Sequence, residues 1–185
     1  VQSNCNADPF CSQCEQGLKL CVQCLASKNR VIKLPESICV CMEPTLPATL
    51  IFVRHAIAVP RDEFDGTDAQ RPLTHKGIAK ATKVLTALAS RYRPTRLISS
   101  PLVRAKATAA IFRDALPRPH PELELTDALV PDSTVETWRT EIARLNFKAD
   151  DVVVVFGHEP SLSLIFASHL GLNDITLFKK SGFAV

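Results

Sequence analysis

The chain has 185 residues, a net charge of +3 and 46% hydrophobic residues, enough for one ordinary domain with a sizeable core plus a small appendage. Its basic residues are scattered, so the basic stripe of a nucleic-acid binder is missing. No apolar run approaches the roughly 20 residues that a membrane helix needs.

All seven cysteines lie between Cys5 and Cys41, in the order C-x5-C-x2-C-x6-C-x2-C-x14-C-x-C. Residues 1–41 hold few large apolar side chains, so the segment must be cross-linked or remain without a core. The spacing favours a disulfide framework and resembles a small extracellular cysteine-rich repeat. A zinc ion held by Cys11, Cys14, Cys21 and Cys24 is the alternative, although six intervening residues are fewer than common zinc ribbons use. The odd count leaves one thiol over, as expected of a truncated repeat or of a partner outside the chain. The sole methionine, Met42, follows Cys41 directly. The composition break there predicts a boundary, with residues 1–41 of separate origin or a fusion remnant and residues 42–185 the main domain.

A short Pro-containing linker over 45–49 leads to strand one, Leu50 to Val53, a continuous apolar run suited to a parallel sheet. Residues 56–70 form a charged loop. Thr74 caps a helix reaching about Ser90, with Ile78, Ala81, Leu85 and Leu88 as its buried stripe. Strand two is Arg96 to Ser99. Ser100 caps the next helix, with Pro101 at its first position and Val103, Ala107, Ala110 and Ile111 on the apolar face. A short strand falls within Glu122–Thr126. Ser133 caps a helix to about Asn146 that buries Val135, Trp138, Ile142 and Leu145. Asp151 to Phe156 is the clearest strand, Pro160 opens a helix to about Leu170, and Ser181 to Val185 begins one more strand. Strands alternate with helices and hairpin signals are absent. The expected fold is therefore α/β, a mostly parallel sheet with helices on both faces.

Polar clusters follow three strand ends, where ligands bind in such folds. Arg54 and His55 follow strand one, Arg104 lies in the first turn after strand two, and His158 follows the valine strand. Four groups able to carry positive charge would meet in one small space, and like charges repel. A phosphoryl group offsets that repulsion. Arginine's planar fork matches its oxygens, and helix N-termini add amide donors. A neutral imidazole can attack phosphorus and hold the phosphoryl group until water cleaves it. Such a nucleophile needs its other ring nitrogen bonded to an acceptor, such as a backbone carbonyl. No Walker-type glycine loop is present, and residues 42–185 contain no cysteine nucleophile. Lone histidines such as His75, His120 and His169 read as structural or surface groups, and Thr108 as a residue that packs or bonds within its helix.

Residues 42–185 resemble the histidine phosphatase superfamily, in its short phosphohistidine phosphatase (SixA-like) branch, with the phosphoglycerate mutase-like fold. The resemblance rests on five motifs in order. They are Arg54-His55-Ala56, Arg71-Pro72-Leu73-Thr74-x-x-Gly77, Ser99-Ser100-Pro101-x-x-Arg104-Ala105-x-x-Thr108, Gly157-His158-Glu159-Pro160 and Lys179-Lys180-x-Gly182, the last taken as part of a late strand. It implies His55 as phosphoryl acceptor, with Arg54, Arg104 and His158 binding the phosphoryl oxygens. Glu159 stands where one branch keeps its proton donor, and Asp62, Glu63 and Asp65 are rivals for that role. Arg71 is placed either to touch substrate or to brace the helix entry. The resemblance also implies a domain shortened at its C-terminal end. No cofactor is called for outside the zinc alternative.

The expected activity is hydrolysis through a phosphohistidine intermediate, with phosphohistidine on a protein as the favoured substrate. The short interval from Ala105 to His158 leaves little room for the lid of larger relatives. The alternatives are a small phosphomonoester as substrate, or an inactive phosphate-binding domain on a cysteine-rich interaction module. The partner is thus a phosphorylated protein or small molecule, with no nucleic acid and no membrane span. The phosphatase half suggests the cytoplasm, the cysteines an oxidising compartment.

Overall fold

The computed structural model describes residues 49–173, 175 and 177–185. The cysteine segment, its disulfide or zinc readings and the boundary near Met42 lie outside the described residues.

A five-stranded sheet forms the centre, in the order β3-β2-β4-β1-β5. Its strands are β1 (Thr49–Arg54), β2 (Arg96–Ser99), β3 (Leu123–Leu125), β4 (Val152–Gly157) and β5 (Phe183–Ala184). All ladders are parallel except that of β5, which runs antiparallel to β1. Among the described residues four helices cover it: α1 (His75–Arg91), α2 (Val103–Asp114), α3 (Val135–Leu145) and α4 (Ser161–Leu170).

The strand alternation divides the core between the two faces. Ile51, Val53, Leu97, Val154 and Phe156 pack with Leu85 and Leu88 of α1 and Ala109 and Phe112 of α2. Phe52, Ile98, Val153 and Val155 pack with Trp138 and Ile142 of α3 and Leu162 and Ile165 of α4. Near-continuous apolar strands are what two covered faces demand.

The register positions the site. β1 pairs with β4 from Thr49 opposite Val152 to Arg54 opposite Gly157, and β2 pairs with β4 up to Ser99 opposite Phe156. The ladder continues past the strand ends, with His55 N–H donating to Gly157 O at 3.1 Å and Ser100 N–H to Phe156 O at 3.0 Å. His55, Ser100 and His158 therefore leave the sheet side by side at its carboxyl edge.

Local chemistry explains the Arg71-to-Gly77 motif. Leu73 bridges Ala58 in a single antiparallel pair. Thr74 Oγ1 caps α1 by accepting from Gly77 N–H at 2.9 Å, and donates to Ile57 O at 3.2 Å. A Cβ on Gly77 would run into the Ile57 carbonyl. Only glycine lets the helix approach the loop leaving β1 so closely.

Several expectations shift. Ile78 is 42% exposed, and the buried stripe of α1 is Gly77, Ala81, Leu85, Leu88 and Ala89. Helix α2 begins at Val103 with Leu102 as its N-cap, not with Ser100 and Pro101. The inward face of α2 is Arg104, Ala105, Thr108, Ala109 and Phe112 rather than Val103, Ala107, Ala110 and Ile111. Small Ala105 and Ala109 bring the helix close to the sheet, and that rotation carries Arg104 inward. The cap of α3 is Thr134, one residue after Ser133, accepting from Thr137 N–H at 3.1 Å. Lys179 and Lys180 precede β5 in a turn region and are not in a strand. No helix among the described residues is long and apolar enough to cross a membrane.

Candidate active site

The two histidines face each other at the sheet's carboxyl edge, with ring centroids 4.9 Å apart. His55 is 6% exposed and His158 1%. His55 Nδ1 lies 2.7 Å from Ala56 O. A carbonyl oxygen only accepts, so Nδ1 carries the proton and Nε2 holds the free lone pair. Burial lowers the His55 pKa to about 4, against the raising effect of the Ala56 carbonyl, and Arg104, Arg54 and Lys180 lower it too. The ring is neutral at physiological pH, the form a nucleophile requires.

His158 Nε2 sits 3.0 Å from Ser100 Oγ, which also accepts from Leu102 N–H at 3.3 Å. The hydroxyl can donate to that nitrogen or accept from it, and the other ring nitrogen is Nδ1. That Nδ1 is buried without a hydrogen-bond partner. Burial, then the neighbouring His55 and Arg104, push the His158 pKa far down, so this ring is neutral too.

The arginines are held by their outer nitrogens. Arg54 Nη1 donates to Phe178 O, on the segment that leads into β5. Arg104, 3% exposed, donates from Nη1 to Asp68 O at 2.7 Å and pairs through Nη2 with Asp68 Oδ2 at 2.9 Å. The Nε of both Arg54 and Arg104 is buried and unpartnered. Arg71 donates from Nε to Asp68 Oδ1 at 3.0 Å and from Nη1 to Val59 O at 2.9 Å. Lys180 adds a further charge. Its pKa is lowered by partial burial and then by Arg54, Arg71 and Arg104.

Thr108 joins two walls of the site. Its Oγ1 accepts from Ala56 N–H at 3.0 Å and donates to Arg104 O at 2.7 Å, a cross-link that reaches beyond its own helix. Glu159 Oε1 accepts from Phe178 N–H at 3.0 Å and Ser163 Oγ at 2.9 Å, while Oε2 is buried without a partner. His169 accepts from Trp138 Nε1 at 2.9 Å, away from the site and in a structural role. No three His, Cys, Asp or Glu side chains among the described residues are grouped to hold a metal ion.

Residues 50–130 match the model of the histidine phosphatase superfamily (branch 1). An uncharacterized protein of Picosynechococcus sp. is 33% identical over 116 residues, covering 61% of this chain and 67% of that protein. The chain belongs to the histidine phosphatase superfamily. Solved structures carry the fold across most of the superfamily domain. The protein histidine phosphatase SixA complexed with tungstate aligns with TM-score 0.64 at 24% identity, over 73% of this chain and 85% of that one. A mycobacterial glucosyl-3-phosphoglycerate phosphatase aligns with TM-score 0.57 at 14% identity, over 72% and 87%. The sheet and helices are thus those of the phosphoglycerate mutase-like histidine phosphatase fold.

Two residues bonded to this histidine phosphatase site were not singled out from sequence. Asp68 sat among other acids in a loop, and Ser100 read as a helix cap. For Asp68 the available signal was its place three residues before Arg71, a spacing that brings acid and guanidinium together in a single turn.

Proposed function

We propose that this chain is a phosphohydrolase in which His55 Nε2 is the nucleophile and phosphohistidine on a protein is the substrate. The observation that carries the reading is the 2.7 Å bond from His55 Nδ1 to Ala56 O, which leaves Nε2 with its lone pair free. Arg54 Nε and Arg104 Nε are buried donors without partners, and His158 Nδ1 is a buried ring nitrogen without one. Leaving such groups unpaired costs free energy, and a phosphoryl group supplies the acceptors.

His55 Nε2 attacks phosphorus, and the bond from phosphorus to the substrate's leaving atom breaks with its electron pair going to that atom. Water then attacks the phosphohistidine. The N–P electrons return to Nε2, and orthophosphate leaves. Arg54, Arg104 and His158 stabilise the equatorial oxygens in both steps. Glu159 is the proposed proton donor to the leaving group through Oε2, the oxygen left free by its bonds to Phe178 and Ser163. Arg71 reaches the site through Asp68 and serves its substrate side.

The substrate class is supported by the fold's economy. The chain between α2 and β4 is taken up by β3, a 3-10 turn and α3, so no separate lid domain is inserted there. The SixA relative is named a protein histidine phosphatase. A small phosphomonoester is the second reading, because the mycobacterial relative is named for one.

The test compares a phosphohistidine peptide, a phosphoserine peptide and para-nitrophenyl phosphate, with wild type beside His55→Ala. Preferential hydrolysis of the phosphohistidine peptide, lost in the variant, is expected. Equal hydrolysis by the variant would remove His55 as nucleophile. Preference for a small phosphomonoester would replace the substrate class.

A further inference from the structure

Asp68 has no task in the reaction as written, yet its atoms engage both Arg104 and Arg71. It lies at the start of a 3-10 turn, Asp68–Gln70, which is fixed by a reciprocal cap between Thr67 and Gln70. One carboxylate oxygen takes Arg104 Nη2 at 2.9 Å, the other takes Arg71 Nε at 3.0 Å, and its backbone carbonyl takes Arg104 Nη1 at 2.7 Å. Against the raising effect of burial, Arg104 and Arg71 hold the Asp68 carboxyl below its usual range.

A guanidinium presents five N–H groups in one plane. Asp68 engages one on each outer nitrogen of Arg104 and thereby orients the plane. The Nε–H, buried and unpartnered, is left over with one N–H on each outer nitrogen. Arg104 is 3% exposed, on a helix face whose other buried residues carry no charge. A buried guanidinium without a counter-ion would carry a large desolvation cost.

We propose that Asp68 is a positioning residue of the phosphoryl site. It locks the Arg104 guanidinium edge-on, so that Nε faces the phosphoryl group. It acts through Arg104 and does not touch the phosphorus. The inference rests on the phosphoryl site proposed above. It predicts that Asp68 strengthens anion binding, although a carboxylate beside a phosphate would by simple repulsion weaken it.

The test measures orthophosphate binding and para-nitrophenyl phosphate turnover in wild type, Asp68→Ala, Asp68→Asn, Arg104→Lys and the Asp68→Ala/Arg104→Lys double variant. Wild type must bind phosphate and turn over. If it does neither, the phosphoryl site itself fails, whatever the variants do. Asp68→Ala should bind phosphate roughly ten- to a hundredfold more weakly, the scale of a charge-assisted hydrogen bond lost at a buried group. Asp68→Asn, which keeps one acceptor oxygen, should fall between the two. In the Arg104→Lys background the Asp68→Ala loss should shrink to within about twofold, because the plane being oriented is gone. Equal or tighter phosphate binding in Asp68→Ala would overturn the proposal. So would the same loss in both backgrounds. Should Asp68→Ala fail to fold, as read by thermal unfolding, Asp68→Asn in the two backgrounds supplies the same comparison.

Discussion

The Nδ1–H of His55 donates to the carbonyl of Ala56 at 2.7 Å, and the N–H of that same Ala56 donates to Thr108 Oγ1 at 3.0 Å. The tautomer of His55 and the path of its backbone are thus set by one peptide neighbour. That neighbour is pinned in turn to the helix carrying Arg104.

Thr108→Val should therefore injure both stability and rate. The variant leaves the Ala56 N–H without an acceptor in a buried place, at a cost of about 1–3 kcal/mol. Turnover number should fall more than KM rises, since the aim of His55, the proposed nucleophile, is disturbed while Arg54, Arg104 and His158 remain. Thr108→Ser keeps both bonds and should stay near wild type. Urea unfolding with steady-state kinetics on para-nitrophenyl phosphate would show both effects.

The depressed pKa of His55, about 4, makes a pH prediction for stability. The folded ring refuses the proton that the unfolded chain accepts near its ordinary value of about 6.5. Stabilisation from the neutral ring is complete above that value and is lost as pH falls from there through about 4. The loss attributable to His55 is on the order of 3 kcal/mol. A series of urea titrations from pH 7 to 4 should show stability falling, with a shallower fall in His55→Gln. Parallel slopes in the two proteins would contradict the assignment.

Gly77→Ala tests the approach of α1 to the loop after β1. The added methyl meets the Ile57 carbonyl, which is backbone and cannot swing aside. A loss of about 2–3 kcal/mol is expected, the upper part of the overpacking range. Thermal unfolding should drop by roughly 2–4 °C per kcal/mol.

Glu159 can be separated as acid from Glu159 as tether by leaving group. Glutamine keeps an acceptor for Phe178 N–H and Ser163 Oγ but cannot donate a proton as an acid. Glu159→Gln should slow hydrolysis of phenyl phosphate, a poor leaving group, about a hundredfold. With para-nitrophenyl phosphate, whose leaving group needs no proton, the change should stay within about threefold. Equal small losses on both esters would leave Glu159 a tether of the Phe178 segment only.

Arg54, His55, Arg104 and His158 were legible as a group because each closely follows an apolar run. Parallel strands put such residues on one edge whatever the helices between them do. Asp68 was not legible in the same way. Its loop carries Asp62, Glu63 and Asp65 as well, and composition does not say which carboxylate turns inward. The face of α2 was misread because alanines and a threonine pattern weakly, and a buried arginine looks like a solvent-facing one until its partner is known.

The sequence by itself determined the α/β alternation: the apolar runs, their charged endings and the Thr74 cap of the first helix. Those are local signals, written in residue type and spacing. The tertiary structure alone decided which nitrogen of Arg104 is unpartnered, which nitrogen of His55 is protonated, and that Asp68 bonds Arg104, Ser100 bonds His158 and Thr108 bonds Ala56. Each of those is a contact between segments distant in the chain or a hydrogen-bond direction. Both depend on how the helices seat on the sheet, which no single stretch of sequence encodes.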